Sequence, residues 1–321
     1  MMSTRLTRRA TIAALGATLL PLRAQEPWPS RALTMIVPFA AGNVTDSIAR
    51  MLGDRLAHAL GQPVVVENKA GASGGIGMAA LQRAAPDGYT FGVSSIGPLA
   101  LNPSLYFKLT YDPKAFSMVS VVYRGPFLVL VDPASPWQTL KDLVQAAQHQ
   151  QIDFATPGAG SSQHLTGELL KKVTGARMLH IPNRGSGEAA TLLLGKHVPV
   201  MIEVTTVGVP LVKQGRARAL AISSAQRLPA LPDVPTMTEA GYPVVTEGWL
   251  CLVTPAGVPP AIRQRLFEET KKVMQLPDVQ AAVSSFGGFA EALTPEQSTA
   301  FVQAEVARWG ELIRSAGLKL D

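Results

Sequence analysis

From Leu33 onward, short β-rich runs alternate with longer stretches in which apolar residues recur every three or four positions. That alternation is the signature of α/β layering around a mainly parallel sheet. The first unit shows the logic. Residues 33–37 form an apolar run stopped by Pro38, after which Thr45 or Asp46 can cap a helix whose Ile48, Met51, Leu52, Leu56 and Leu60 share one face. Gly61 follows where a left-handed residue would end that helix. Residues 63–67 read as the next strand, 77–85 as a helix closed by Pro86-Asp87-Gly88, and 89–94 as a third strand. Further strands are expected over 118–123, 127–131, 152–155, 177–181, 198–203 and 217–222, with helical patterns between most of them.

The last seventy or so residues change character. A helix is expected over 259–274, and Thr294-Pro295-Glu296-Gln297 combines a capping Thr, Pro at the first helical position and Gln at the third. In the helix that follows, Phe301, Val302, Val306, Trp309 and Ile313 make a stripe suited to core contact. Nothing in the chain reads as a repeat or a long flexible linker.

At the N-terminus, Arg5, Arg8 and Arg9 precede an apolar run from Ile12 to Leu22 that ends at Leu22-Arg23-Ala24. This is the pattern of a secretory leader cleaved near Ala24, its apolar run shorter than the roughly 18 residues a membrane span requires. Arg8-Arg9 fits the twin-arginine export route. Loss of residues 1–24 removes four arginines and no acid, so the formal charge of +6 falls to about +2. With 6% aromatic residues and no Lys/Arg cluster, the chain lacks the footprint of a nucleic-acid binder. Cys251 stands alone in an apolar run and reads as a small buried residue. No cysteine lies near the cleavage site, so a lipid anchor there is not expected.

Three glycine-bearing loops follow expected strands and lead into expected helices, over residues 38–46, 68–77 and 156–164. The first amides of a helix lack intrahelical partners and the macrodipole is positive there, so such a loop can hold a carboxylate without Lys or Arg. In the first loop Asn43, Thr45 and Asp46 are the polar groups; in the third, Ser161 and Ser162 can either cap the helix or bind ligand oxygen. Gly71-Ala72-Ser73-Gly74-Gly75 matches a nucleophile elbow, which makes a serine hydrolase using Ser73 the enzymatic rival, with His149, His164, His180 or His197 as its base. No metal-ligand spacing occurs and no cofactor is expected.

Taken together, Trp28-Pro29-Ser30-Arg31, the segment Ile36 to Gly42, Val66-Glu67-Asn68-Lys69-Ala70-Gly71-Ala72, Ala85-Pro86-Asp87-Gly88-Tyr89-Thr90, Asn102-Pro103-Ser104-Leu105-Tyr106, Arg227-Leu228-Pro229, Pro232 to Thr236 and Thr254-Pro255-Ala256-Gly257 resemble the Bug (TctC-like) receptors of tripartite tricarboxylate transporters. The resemblance covers nearly the whole chain after the leader. It implies a two-lobed periplasmic binding protein fold of type II-like form, with residues 25–123 and 249–321 in one lobe, 124–248 in the other, and a ligand cleft between them. It further implies a monomeric, non-enzymatic receptor that delivers a di- or tricarboxylate, aromatic acid or amino acid to membrane permease subunits. A sensory module reporting to a membrane signalling partner would have the same cleft.

Carried over position by position, the resemblance assigns ligand contact to Phe39, Ala41, Gly42, Asn43, Thr45, Asp46, Ser95, Thr156, Gly160, Ser161, Ser162, Asn183 and Glu203. The chain departs from the family pattern at Asn43, where a second Gly is usual, at Asn183 for Tyr, at Glu203 for Asp, and at Thr191 for Asp. Asn43, Asn183 and Glu203 are expected to line the cleft.

Overall fold

The structure, a computed structural model, describes residues 28–320; the leader expected over residues 1–24 lies outside them. The first half follows the predicted alternation: β1 (Leu33–Val37), α1 (Val44–Leu60), β2 (Val64–Asn68), α2 (Gly75–Gln82) and β3 (Thr90–Ser95). A π-turn over Gly97–Leu101 and the short α3 (Asn102–Leu105) then lead into β4 (Phe116–Val131). The second half runs α4 (Leu140–His149), β5 (Ile152–Thr156), α5 (Ser162–Thr174), β6 (Met178–Pro182), α6 (Ser186–Leu194), β7 (Val200–Val204), α7 (Thr205–Lys213) and β8 (Arg218–Ile222). The chain returns through β9 (Glu247–Pro255) and finishes with α8 (Pro260–Met274), α9 (Pro277–Ser285), β10 (Phe289–Ala290) and α10 (Pro295–Ser315).

The sheet order is β2-β1-β3-β9-β4-β7-β5-β6, with β8 and β10 also paired to β4. The flanks are parallel, as βαβ alternation requires. The middle is antiparallel, because β9 runs opposite to both β3 and β4, and the long β4 runs on to pair antiparallel with β7. The sheet is therefore mixed, and the molecule is a two-lobed α/β fold.

Two segments read as separate strands from the sequence are one strand here. β4 continues through Arg124-Gly125-Pro126, pairing with β9 from Phe116↔Pro255 to Pro126↔Glu247 and then with β7 and β8 from Phe127 or Leu128 onward. Pro126 has no N–H to give, and it sits where β4 exchanges one set of partners for another, so the proline is tolerated inside the strand. Past the exchange β4 is buried on both faces: Phe127, Val129 and Val131 enter one core, Leu128 and Leu130 another, by the two-residue period of a strand.

The helix ends follow local chemistry. Gly61 closes α1 with φ +70°, and Thr294 with Gln297 forms the predicted capping box of α10. At the start of α1 the cap is Asn43, where Thr45 or Asp46 was expected: Gly42, at φ +89°, turns the chain so that Asn43 is extended and its side-chain oxygen accepts from Asp46 N at 3.0 Å. α10 packs Val302, Trp309 and Ile313 into the same core as Trp249 and Leu105, and the indole N–H groups of Trp249 and Trp309 both donate to Glu305 Oε2, at 3.0 and 2.9 Å. Cys251 is fully buried in that core, and burial pushes its thiol up.

Candidate functional site

Loops at the carboxyl ends of strands from both halves meet around a cavity of about 370 Å³. Phe39 arrives from the loop after β1, Ser95 from the end of β3, and Pro157 to Gln163 from the loop after β5. This is where doubly wound sheets place ligands. Two larger concavities, of about 500 and 790 Å³, lie between α5 and α10 and between α7 and α9, and they are lined mainly by helix flanks with Lys172, Arg308 and Lys213 at their edges. Among the described residues, the smaller cavity is lined without a charged side chain.

The loop after β5 is held by a dense local network. Ser161 caps α5, its Oγ accepting from His164 N at 3.2 Å and donating to Gly158 O at 2.8 Å. Ser162 Oγ donates to Gln163 Oε1 at 3.1 Å, and Gln163 Nε2 donates to Glu203 Oε1 at 3.2 Å. Glu203 is fully buried, also accepts from Val204 N at 2.7 Å, and leaves Oε2 without a partner of hydrogen-bond geometry. Burial pushes its carboxyl above the usual range, against the pull of Val204 N–H, Gln163 and Ser186. Behind the same loop, Gly160 N donates to His164 Nδ1 at 3.1 Å, and Thr156 Oγ1 and His180 Nε2 lie 2.6 Å apart.

The loop after β1 is built differently. Ala40 to Asn43 are exposed, while Asp46 beneath them is 4% exposed. Its carboxylate accepts from Gly42 N at 2.9 Å, Arg50 Nε at 3.1 Å and Asn68 Nδ2 at 2.9 Å. Burial alone would raise this acid, but those donors and the Arg50 charge outweigh it and hold it below the usual range. Asn68 Nδ2 also reaches Phe39 O at 3.0 Å, so one amide ties the loop to Asp46.

Of the residues singled out from the sequence, Phe39, Ser95, Gly160, Ser161 and Ser162 line the cavity. Ala41 and Gly42 stand on the exposed part of the loop after β1, and Thr45 and Thr156 are buried beneath their loops. Asn43, Asn183 and Glu203, expected to line the cleft, have other work in this structure: Asn43 caps α1, Asn183 Nδ2 donates to Thr156 O and Ile181 O at 3.1 and 3.0 Å, and Glu203 supports Gln163. Thr191 is exposed and bonds back to Gly187 O along α6. Ser73 does line the cavity, but its hydroxyl pairs with Tyr106 at 2.7 Å, while His164 of α5 and His180 of β6 are engaged with Gly160 and Thr156.

Sequence reasoning did not assign Leu101, Leu105, Tyr106, Gln163 or Leu320 to the site, yet all five line the cavity. Leu105 and Tyr106 lie in the Asn102-to-Tyr106 motif, which was a signal available to be used. Leu320 has no such local signal.

The family model described as the tripartite tricarboxylate transporter family receptor (TctC) matches residues 48–318. The chain belongs to that family. Protein BugT of Bordetella pertussis is 38% identical over 303 residues, 92% of each chain. Among solved TctC-like structures, a Rhodopseudomonas palustris protein with adipate superposes with a TM-score of 0.80 at 32% identity, covering 91% of this chain and 100% of its own. MatC of the same species, with bound malate, gives 0.73 at 30% identity, covering 89% and 99%. This TctC-family chain shares their two-lobed receptor architecture over almost all of its described length.

Proposed function

We propose that the protein is a periplasmic receptor that captures a small carboxylate between its lobes and delivers it to the membrane subunits of a tripartite tricarboxylate transporter. The observation that carries this reading is the uncharged cavity where loops of both halves meet, with the first turn of α5 at Ser161 to Gln163 on its wall. Helix-terminal amides and hydroxyls can hold an anion there without a cation, and ordered water can complete the grip for ligands of different length. The adipate and malate bound by the two R. palustris relatives belong to the same chemical class. Export by a cleaved leader, possession of no enzymatic activity, and a monomeric state complete the reading.

The lobes divide at the two shared strands, with residues 25–123 and 249–321 in one and 124–248 in the other. At the crossing, Arg124 Nε donates to Glu247 Oε2 at 2.7 Å between β4 and β9, beside Gly125 and Gly248, which are opposite each other in the register. Few residues there have to change conformation for the lobes to close, which is how hinged receptors enclose a ligand.

Thermal unfolding of the mature, ligand-stripped protein against mono-, di- and tricarboxylates, aromatic acids and amino acids tests the proposal. A ligand at about a hundred times its Kd adds roughly 2.7 kcal/mol and raises Tm by a few degrees. A shift confined to carboxylates is the expected result. No shift with any carboxylate would overturn the reading.

A further inference from the structure

The hydroxyls that line the cavity differ in what they can still offer a ligand. Ser161 Oγ is spent, accepting from His164 N and donating to Gly158 O. Ser73 and Tyr106 share one bond, whichever of them donates, and Asn102 Nδ2 is turned to Ser73 O and Tyr111 Oη at 3.0 and 3.3 Å. Neither hydroxyl of that pair has a fixed sense.

Ser162 does, because its direction is set from below. Val204 N can only donate, so Glu203 Oε1, 2.7 Å away, is an acceptor, and a proton on this acid would sit on Oε2 instead. The same Oε1 takes Gln163 Nε2 at 3.2 Å, which turns the amide oxygen of Gln163 towards Ser162. Ser162 Oγ donates to that oxygen at 3.1 Å and keeps only lone pairs for the cavity. Rotating the proton away would strand Gln163 Oε1 on a side chain that is 8% exposed. The polarity holds whether Glu203 is charged or neutral.

This fixed acceptor stands beside an anion site. The amides of Ser162 and Gln163 open α5 and have no intrahelical acceptor, so a ligand carboxylate is drawn to them. Ser162 Oγ belongs to the same residue as the first of those amides, and a bare carboxylate would face its lone pairs. A hydroxyl on the carbon next to the carboxylate turns that contact into a hydrogen bond. An ammonium in the same place would meet the positive end of α5, and the described lining residues hold no carboxylate to offset it.

We infer that Ser162 Oγ accepts a hydrogen bond from the ligand, that the receptor therefore selects 2-hydroxycarboxylates over unsubstituted ones, and that Gln163, pinned by Glu203 and Val204 N, is the positioning residue behind that choice. The inference rests on the carboxylate-receptor reading above and narrows it. It holds for a ligand with one carboxylate or several.

Calorimetric titration of the mature protein with matched sets tests it: propionate, succinate, adipate and phenylacetate, each with its 2-hydroxy acid, the O-methyl ether of that acid and the 2-amino acid. Expected is a 2-hydroxy acid that binds about tenfold or more tightly than its three counterparts, the scale of one hydrogen bond to a buried network. The ether keeps the oxygen and loses the donor, so it separates an acceptor from mere space. Ser162→Ala should bring the hydroxy acid and its ether within about twofold of each other, since the bond is gone. Gln163→Leu leaves Ser162 in place but frees its proton, and should level or reverse the order. Glu203→Gln, whose carbonyl can still accept from Val204 N and Gln163, should keep the wild-type ratio. A merely structural Gln163 would weaken every ligand by one factor and leave the ratio untouched, which would sink its positioning role. A 2-hydroxy acid bound no more tightly than its unsubstituted, methoxy or amino counterpart overturns the inference and leaves the carboxylate receptor standing, as does a wild-type ratio in Ser162→Ala. No binding by any carboxylate overturns both.

Discussion

The imidazoles of His164 and His180 stack with ring centroids 3.7 Å apart and planes inclined by 16°, directly behind the loop that carries Ser161 and Ser162. Each ring anchors that loop by a different bond. His164 Nδ1 accepts from Gly160 N, which places its proton on Nε2, facing Glu168 at 3.6 Å; His180 Nε2 meets Thr156 Oγ1. The first anchor uses the lone pair of His164 Nδ1, and the second is independent of it.

A pH dependence follows. Burial, then the neighbouring His164, lower the pKa of His180 from 6.5 to about 4, with Lys171 adding to and Glu168 opposing the shift. The folded protein therefore binds fewer protons than the unfolded chain between those values, so stability rises with pH across the window and declines as pH falls from about 6.5 towards about 4. Urea midpoints measured at half-unit steps should show that decline in the wild type and a shallower one in His180→Phe, which keeps a stacked ring and removes the titration. Parallel curves for the two proteins would contradict the assignment.

Asp46 makes the opposite prediction. Its acid is held low by Gly42 N–H, Arg50 and Asn68 despite burial, so its contribution is present above the ordinary carboxylate range and lost as pH drops through its folded value. Asp46→Asn should lower stability by about 1–2 kcal/mol at pH 7, the scale of a hydrogen-bonded charge that is partly reached by water. The deficit should shrink at a pH well below the ordinary value of 3.8, as the wild-type acid itself becomes protonated. Ligand affinity should fall as well, since Asn68 and Gly42 would lose the carboxylate that fixes the loop after β1. Chemical denaturation at the two pH values reads the first effect and titration the second.

The legible parts of the sequence were those whose signals are local. Pro38, Gly61 and the Thr294 to Gln297 box punctuate their elements by rules of backbone geometry, and the strand-to-helix loops bearing Phe39, Ser161 and Ser162 are readable as loops that meet at the cavity. What the sequence does not show depends on partners distant in the chain. Gly125-Pro126 reads as a break, and only the exchange of β9 for β7 and β8 makes it an uninterrupted strand. Asn183 and Glu203 bond to Thr156 O and Ile181 O and to Gln163, partners that their own neighbourhoods in the sequence do not announce. Leu320 enters the cavity because Leu105, over two hundred positions away, offers its carbonyl.

Tyr123 at the crossing yields a steric prediction. Its buried ring lies against two glycines: a Cβ on Gly288 would come within 2.6 Å of Tyr123 Cζ and 2.7 Å of Arg124 O, and one on Gly125 within 2.7 Å of Tyr123 Cζ. Backbone cannot move aside as a side chain can, so Gly288→Ala should destabilise more than Gly125→Ala, by about 1–3 kcal/mol in the range typical of overpacking. Gly288→Ala combined with Tyr123→Ala should recover little, because the clash with Arg124 O persists. Full recovery in the double variant would show that the ring alone sets the constraint.

Glu203 gives the most discriminating test of the network under Ser162. Its Oε1 accepts from Gln163 and Val204, and its Oε2 is buried without a partner. Glu203→Gln can keep both accepted bonds through its amide oxygen while removing a charge that burial opposes. Because the folded acid titrates above its ordinary value of 4.5, the wild type is free of the charge penalty below that pH and acquires it as pH rises through the folded value. Glu203→Gln should therefore raise the urea midpoint at pH 8, with the gain shrinking to nothing by pH 4.5. Ligand affinity should change little, because Gln163 keeps its acceptor. Glu203→Leu, which removes that acceptor, should free Gln163 and weaken binding several-fold with the fold intact. Equal affinity in Glu203→Leu would mean that Gln163 holds Ser162 without support from below, and the chain from Glu203 to the cavity would lose its functional meaning.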